Sequence, residues 1–278
     1  MAPPEHKALR GLPLATRALK GWRRSLASKR GTAVRISSLA LTLLIWEYYG
    51  RSVSPIFLSY PTAILASLPE MLKTGELQTA FLSSGKNLLF GLSLAIACGT
   101  LLGVLMGRYR FFDDLLELQI SALYATPNVA LIPLFMLWFG LGTLVKIVIV
   151  FLSAFFPIVV NTYHGVRNVS RSLVEVALAE GATEAQVIRK IILPASLPFV
   201  TTGVRLSIGR AIVGMVVGEM FTASSGLGGA IVTYGNAFAT KKLFVVIILL
   251  ALMGVLLTEA VRFVEQKLAP WKATERAT

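Results

Sequence analysis

Residues 175–194, EVALAEGATEAQVIRKIILP, form a polar interval in a chain that is otherwise mostly apolar. The interval encodes two short helices with explicit punctuation. Ser172, three residues before Glu175, offers a capping box in which the hydroxyl accepts from the Glu175 amide while the Glu175 side chain reaches back. Thr183 and Gln186 repeat the device. Gly181 stands where a helix C-terminus favours a left-handed residue without a Cβ penalty, and Pro194 is expected to stop the second helix. Leu173, Val174, Ala177 and Leu178 share one face of the first helix, and Val187, Ile188, Ile191 and Ile192 share one face of the second. Helices this short are marginal in water, so these apolar faces require a packing partner.

The rest of the chain sets the class. Of 278 residues 55% are hydrophobic, and the mean hydropathy of +0.72 lies outside the range of ordinary soluble domains. A membrane core of ~30 Å takes ~20 apolar residues per helix, and about six such runs are present, at 33–50, 86–107, 119–139, 144–163, 197–220 and 243–263. The expected fold is an all-α integral membrane protein. Its parts are a basic N-terminal segment 1–32, a membrane domain 33–264 with a polar loop at 165–196, and a tail 265–278. The fifth run carries Arg205 and Arg210, costly inside a membrane.

A net charge of +13 is one signature of nucleic-acid binding, but its distribution excludes that reading. Eight Lys and Arg fall within the first thirty residues. Placing that end in the cytoplasm puts Arg108, Arg110, Arg167, Arg171, Arg189, Lys190, Arg262, Lys267, Lys272 and Arg276 there too. Only Arg51, Lys73, Lys86, Lys146, Lys241 and Lys242 go to the other side. The bias puts both termini in the cytoplasm. In the first segment Leu14, Ala18, Leu19, Trp22 and Leu26 share a helical face against Arg17, Lys20, Arg23 and Arg24. That pattern suits either a helix on anionic lipid headgroups or a disordered basic tail. No cleavage site follows the first run, so it is expected to remain as an anchor.

The sequence carries no recognisable catalytic or metal-binding pattern. His6 and His164 lack metal-ligand spacing. Lone Cys98 excludes an internal disulfide and reads as a small packing residue. Gly85, Lys86 and Asn87 lack the remainder of a phosphate-binding loop, and the glycine-rich 224–229 segment follows no strand, reading as a flexible turn on the outer side. Ala95, Gly99, Gly103 and Gly107 recur every four residues, a stripe that admits close helix approach. Pro127 and Pro133 are expected to kink the third run.

Glu175, Ala177, Gly181, Ile191, Leu193 and Pro194, at this spacing, resemble the EAA loop of ABC importer permeases. Val176 departs from the usual alanine but keeps the site apolar. Leu58 to Pro61, Gly75 to Leu77, Pro127 with Ala130 and Pro133, Leu137 to Gly140, Lys146, 161–165, Gly209 to Ala211, Glu219 with Met220, and Ser225 to Gly228 extend the likeness. These segments look like the nitrate, sulfonate and taurine branch. The resemblance implies a type I ABC importer permease fold in the bacterial inner membrane. It implies a non-catalytic subunit without cofactors of its own, ATP and Mg being held by a separate ATPase docked on the six loop residues. It also implies a second copy of the permease and a periplasmic or lipid-anchored substrate-binding protein, within membrane lipids. Glu47, Glu219 and Arg210 are the charges that could line a path. Arg205 can snorkel to the headgroups, whereas Arg210, deeper, is expected to face the bundle interior and to need an acid or an anionic solute. Alternatives are an ABC permease for a non-anionic nutrient, a secondary transporter driven by an ion gradient, or a membrane anchor or receptor subunit. A gradient-driven transporter usually shows repeated halves and several membrane acids, and no repeat is visible here.

Overall fold

The computed structural model describes residues 14–222 and 225–268, with side-chain surroundings from residue 31 onward. The side chains of the basic segment, His6, Ser224 and the tail after residue 268 lie outside the described residues. The elements are α1 (Leu14–Ser52), α2 (Pro61–Lys73), α3 (Glu76–Arg108), α4 (Arg110–Ala125), a 3-10 turn (Asn128–Leu131), α5 (Ile132–Phe139), α6 (Thr143–Arg167), α7 (Arg171–Ala179), α8 (Glu184–Val187), a π turn (Ile188–Ile192), α9 (Leu193–Thr222), α10 (Gly226–Asn236) and α11 (Thr240–Leu268). Among the described residues all regular structure is helical.

Four stretches, α3, α6, the continuous run Glu184–Thr222 and α11, are long and apolar enough to cross a membrane. The expected run at 119–139 is no simple kinked helix. Pro127 lacks the amide that would continue α4, and the chain turns by 87° before Asn128–Phe139 resumes. Counted as one span this pair makes five. The first expected run lies in the second half of α1, a single helix that crosses the anticipated boundary at residue 32 without interruption. Arg35 and Glu47 dilute its apolar character, and it does not join the other spans by length and composition.

The bundle is organised around α6. Residues Val145, Val150, Ala154, Ile158 and Val159 are fully buried there, because both flanking helices approach it along glycines. On α3 the four-residue stripe holds and extends one turn to Gly91. A Cβ at Gly91, Gly99, Gly103 or Gly107 would lie 2.6, 3.0, 2.6 and 2.6 Å from Val150, Ile158, Thr162 and Val166 respectively. Ala95 completes the row with no exposed surface. Gly203 and Gly214 on α9 meet Asn161 and Ser153 in the same way. Close backbone approach replaces the hydrophobic driving force that is absent between helices in lipid. Cys98, by contrast, is exposed rather than packed, since it lies off the stripe.

The far end of the bundle is tied by polar contacts. Trp46 Nε1 donates to the Ser59 carbonyl at 3.0 Å, and Glu47 accepts from the Thr62 amide at 3.1 Å and hydroxyl at 2.7 Å. Glu47 thereby caps α2 while pairing with Arg51 at 2.7 Å. On α2, the hydrogen bond from Lys242 at 2.9 Å and the charge behind it hold the Glu70 carboxyl below its ordinary pKa.

Candidate functional site

The polar interval folds as a compact hairpin at the α6 end of the bundle. Gly181 has φ +82°. Its amide donates to Leu178 O and the Ala182 amide to Ala177 O, both at 3.0 Å, which is a Schellman closure of α7. Thr183 then forms its capping box with Gln186, at 2.8 and 3.4 Å. The box expected at Ser172 and Glu175 does not form. The helix begins at Arg171, so Ser172 is already inside it and its hydroxyl lies 2.7 Å from that of the N-cap Ser170.

Pro194 does not stop the second helix. The π turn widens the backbone so that the Leu193 amide donates to Ile188 O, and the register shift lets a residue without an N–H pass. π segments occur mostly as single turns of this kind within α-helices, where they are one of the recognised causes of a local kink. The loop helix and the membrane helix are consequently one continuous rod over Glu184–Thr222.

Packing settles which faces are available. Val174, Ala177, Ala182 and Ile188 rest against Val104, Val166, Val187 and Ile192, so the loop is seated on the ends of α3 and α6. Leu173 and Val176, about 60% exposed, remain uncovered on α7 together with Glu175. Gly181 and Leu193 are exposed, and Ala177, Ile191 and Pro194 half-buried. One ion pair ties the hairpin to this seat and a second, beside it, joins α6 to α4. Arg108 grips Glu184 in a bidentate pair at 2.6 and 2.8 Å, and Arg167 Nη1 meets Asp113 Oδ2 at 2.6 Å. Beside them a cleft of about 430 Å3 is lined by Arg108, Arg110, Asp113, Arg167, Arg171 and Glu175 among others.

At the opposite end lies a buried carboxylate. Glu219 has no exposed surface. Its oxygens accept from Ser84 Oγ at 2.8 and 2.7 Å and from the Gly228 amide at 2.9 Å. Ser84 Oγ in turn accepts from the Leu227 amide at 2.8 Å. The first turn of α10 therefore directs the Gly228 amide to Glu219 and the Leu227 amide to the serine that holds it, as helix N-termini do to anions. Gly226, at φ +88°, is packed so closely that a Cβ would strike the carboxylate. Lys146, 3% exposed, donates to Ser225 Oγ at 2.8 Å. The 224–229 segment, where described, is thus a packed helix start rather than a flexible turn.

The three charges expected to line a path are not brought together. Glu219 sits in this cradle and Glu47 caps α2. Arg210 is exposed on the single chain, its guanidinium 4.8 Å above the Tyr124 ring, instead of facing the interior. Arg205 pairs with Glu265 on α11 at 2.8 Å instead of only snorkelling. Sequence reasoning missed the Arg108–Glu184 and Glu219–Ser84 contacts, whose one signal was charged or polar residues at helix ends.

Residues 99–270 match the family described as the binding-protein-dependent transport system inner membrane component. The putative aliphatic sulfonates transport permease protein SsuC of Bacillus subtilis is 36% identical over 84% of this chain and 85% of its own length. The taurine transport system permease protein TauC of Escherichia coli is 30% identical over 93% and 95%. Among solved structures, the MetNI methionine ABC transporter in inward-facing form aligns with a TM-score of 0.52 at 21% identity, covering 67% of this chain and 91% of that one. The α3–α6–α9 bundle and its seated loop are accordingly those of a membrane permease, and the chain belongs to the binding-protein-dependent transport system inner membrane component family.

Proposed function

We propose that this permease forms, with a second copy of itself, the path of an ATP-driven importer for a small organic anion of the sulfonate or taurine kind. The 175–194 loop docks a separate ATPase subunit, which binds ATP and Mg and performs the hydrolysis. A substrate-binding protein delivers solute to the other face, and both termini are cytoplasmic. The observation that carries the coupling role is the continuous run Glu184–Thr222. Whatever displaces the uncovered face of α7 and the helix start at Glu184 displaces the membrane helix with it.

Arg210 supports the second copy and the anion. A guanidinium on a membrane-crossing helix is too costly to face lipid, and among the described residues no carboxylate pairs with it. Contact with another copy across a wet path gives it water and a transient oxyanion, which suits its fork of donors. Glu219 and Glu47 are already engaged within the chain. The substrate class follows that of the sulfonate and taurine permeases among its relatives. The test is reconstitution in liposomes with the ATPase and binding protein: uptake of a sulfonate should require all three components and ATP. Gradient-driven uptake by this chain alone would overturn the reading.

A further inference from the structure

The half of the bundle that carries the loop also holds an open groove of about 770 Å3 between α3, α9 and α11. Its walls include Ile96, Leu101, Leu197, Val204, Val261 and Val264, with almost no polar surface. All three walls belong to helices of membrane-crossing length and composition, so the groove faces hydrocarbon.

At its loop end the chemistry changes. Arg189 lies four residues before the lining residue Leu193 and shares its face, and Lys267 lies three residues after the lining Val264 on α11. Both are exposed, and among the described residues neither forms an ion pair, the Lys267 ammonium resting 4.5 Å from the Phe263 ring beside the groove, from which it must swing to reach a headgroup. The acids nearest to them in sequence are engaged elsewhere, Glu265 with Arg205 and Glu184 with Arg108. The mouth is therefore cationic from two separate helices, above an apolar trough.

We propose that the groove is a site for an anionic phospholipid, with an acyl chain along the trough and the headgroup phosphate between Arg189 and Lys267. Charge decides against a protein helix as occupant. Another long uncovered apolar stretch among the described residues is the second half of α1, exposed throughout 31–45, and in a second copy the basic sequence that precedes it would approach the same mouth, like charge against like. An anionic lipid complements the mouth and is abundant in the leaflet the loop faces. Because Ile188 and Leu193 line the groove, a bound lipid braces the π turn through which the loop joins α9. The site does not depend on the identity of the transported solute or on ATPase docking.

The test uses the full chain exchanged into nanodiscs of phosphatidylcholine with or without phosphatidylglycerol, with retained lipid measured by native mass spectrometry. Wild type should retain phosphatidylglycerol in preference to phosphatidylcholine. Each cation near an anionic surface is worth about a factor of five, so Arg189→Gln with Lys267→Gln should lower phosphatidylglycerol retention by about 25-fold. Lys267→Gln alone, at an exposed position, gives about fivefold if the double variant fails to fold. Trp at both Ala97 and Ala260, exposed residues of the trough, should displace both lipids with the cations intact. Equal retention of the two lipids by wild type, or retention indifferent to the cations, overturns the proposal. So does efficient chain-to-chain cross-linking in membranes through a cysteine at Ala260, with Cys98 replaced, because a second copy would then cover the groove.

Discussion

Glu219→Ala removes the carboxylate that joins α9, α3 and α10, and the structure fixes what it leaves behind. The Gly228 amide and the Ser84 hydroxyl both lose their acceptor in a site where Glu219 itself has no exposed surface. Each stranded buried donor costs about 1–3 kcal/mol, and the first turn of α10 loses an anion worth up to about 2 kcal/mol in a buried setting. Part of this is offset, because burying the carboxylate was itself unfavourable. The expected net loss is about 3–5 kcal/mol. Glu219→Gln should cost less, about 1–2 kcal/mol, since its carbonyl can accept from Gly228 while its amide donates to a lone pair of Ser84. The assay is thermal unfolding of the purified permease in detergent. At about 2–4 °C per kcal/mol for a chain of this size, the alanine variant should melt about 10 °C below wild type, with the glutamine variant in between. An alanine variant melting within about 2 °C of wild type, or a glutamine variant less stable than the alanine one, would refute the cradle as the source of the stability.

A Cβ at Gly181 would meet no neighbouring atom, so the main cost of Gly181→Val is the left-handed backbone, about 1–2 kcal/mol. Membrane insertion should be normal and co-purification with the ATPase reduced, and unchanged transport would count against the loop as docking surface. In a background with Cys98 replaced, a cysteine at Ser170 should react with an impermeant thiol reagent only once the inner face is opened, and one at Thr74 from outside; the reverse would invert the proposed orientation. Arg210→Gln should leave the complex assembled but lower anion uptake about tenfold or more, the worth of a charge-assisted contact. Dissociation of the complex would instead give Arg210 a structural role and remove the argument for an anion.

What could be read from the sequence was local and periodic. The stripe on α3 recurs every four residues and does admit a close neighbour, but that the neighbour is α6 is seen only in the structure. Gly181 and the Thr183–Gln186 box are contained within a few residues and appear as expected. Ser172 failed by one position of helix phase, a difference that composition does not encode. Pro194 failed because the stop it usually imposes was absorbed by a change of helix register in the turn before it. The run at 119–139 is broken at Pro127, where a kink is expected, but apolarity reports length and not direction, so the size of the turn, 87°, was not legible. Glu219 finds Ser84 at a separation of 135 residues, and Arg108 finds Glu184 at 76. Pairings at such distances depend on which helix faces meet, and one sequence does not state that.

The uninterrupted helix over Glu184–Thr222 has a mechanical consequence. It is pinched against α6 at Gly203 and Gly214, which places a fulcrum near the buried Ile208. From there the arms run about 36 Å to Glu184 and about 21 Å to Thr222. Moving as one body, such a helix is an unequal lever: its far end swings the opposite way through a little more than half the travel of the loop end. A single stroke would close one mouth of the bundle while parting the other, and Glu219, near the tip of the short arm, would carry the start of α10 along with it.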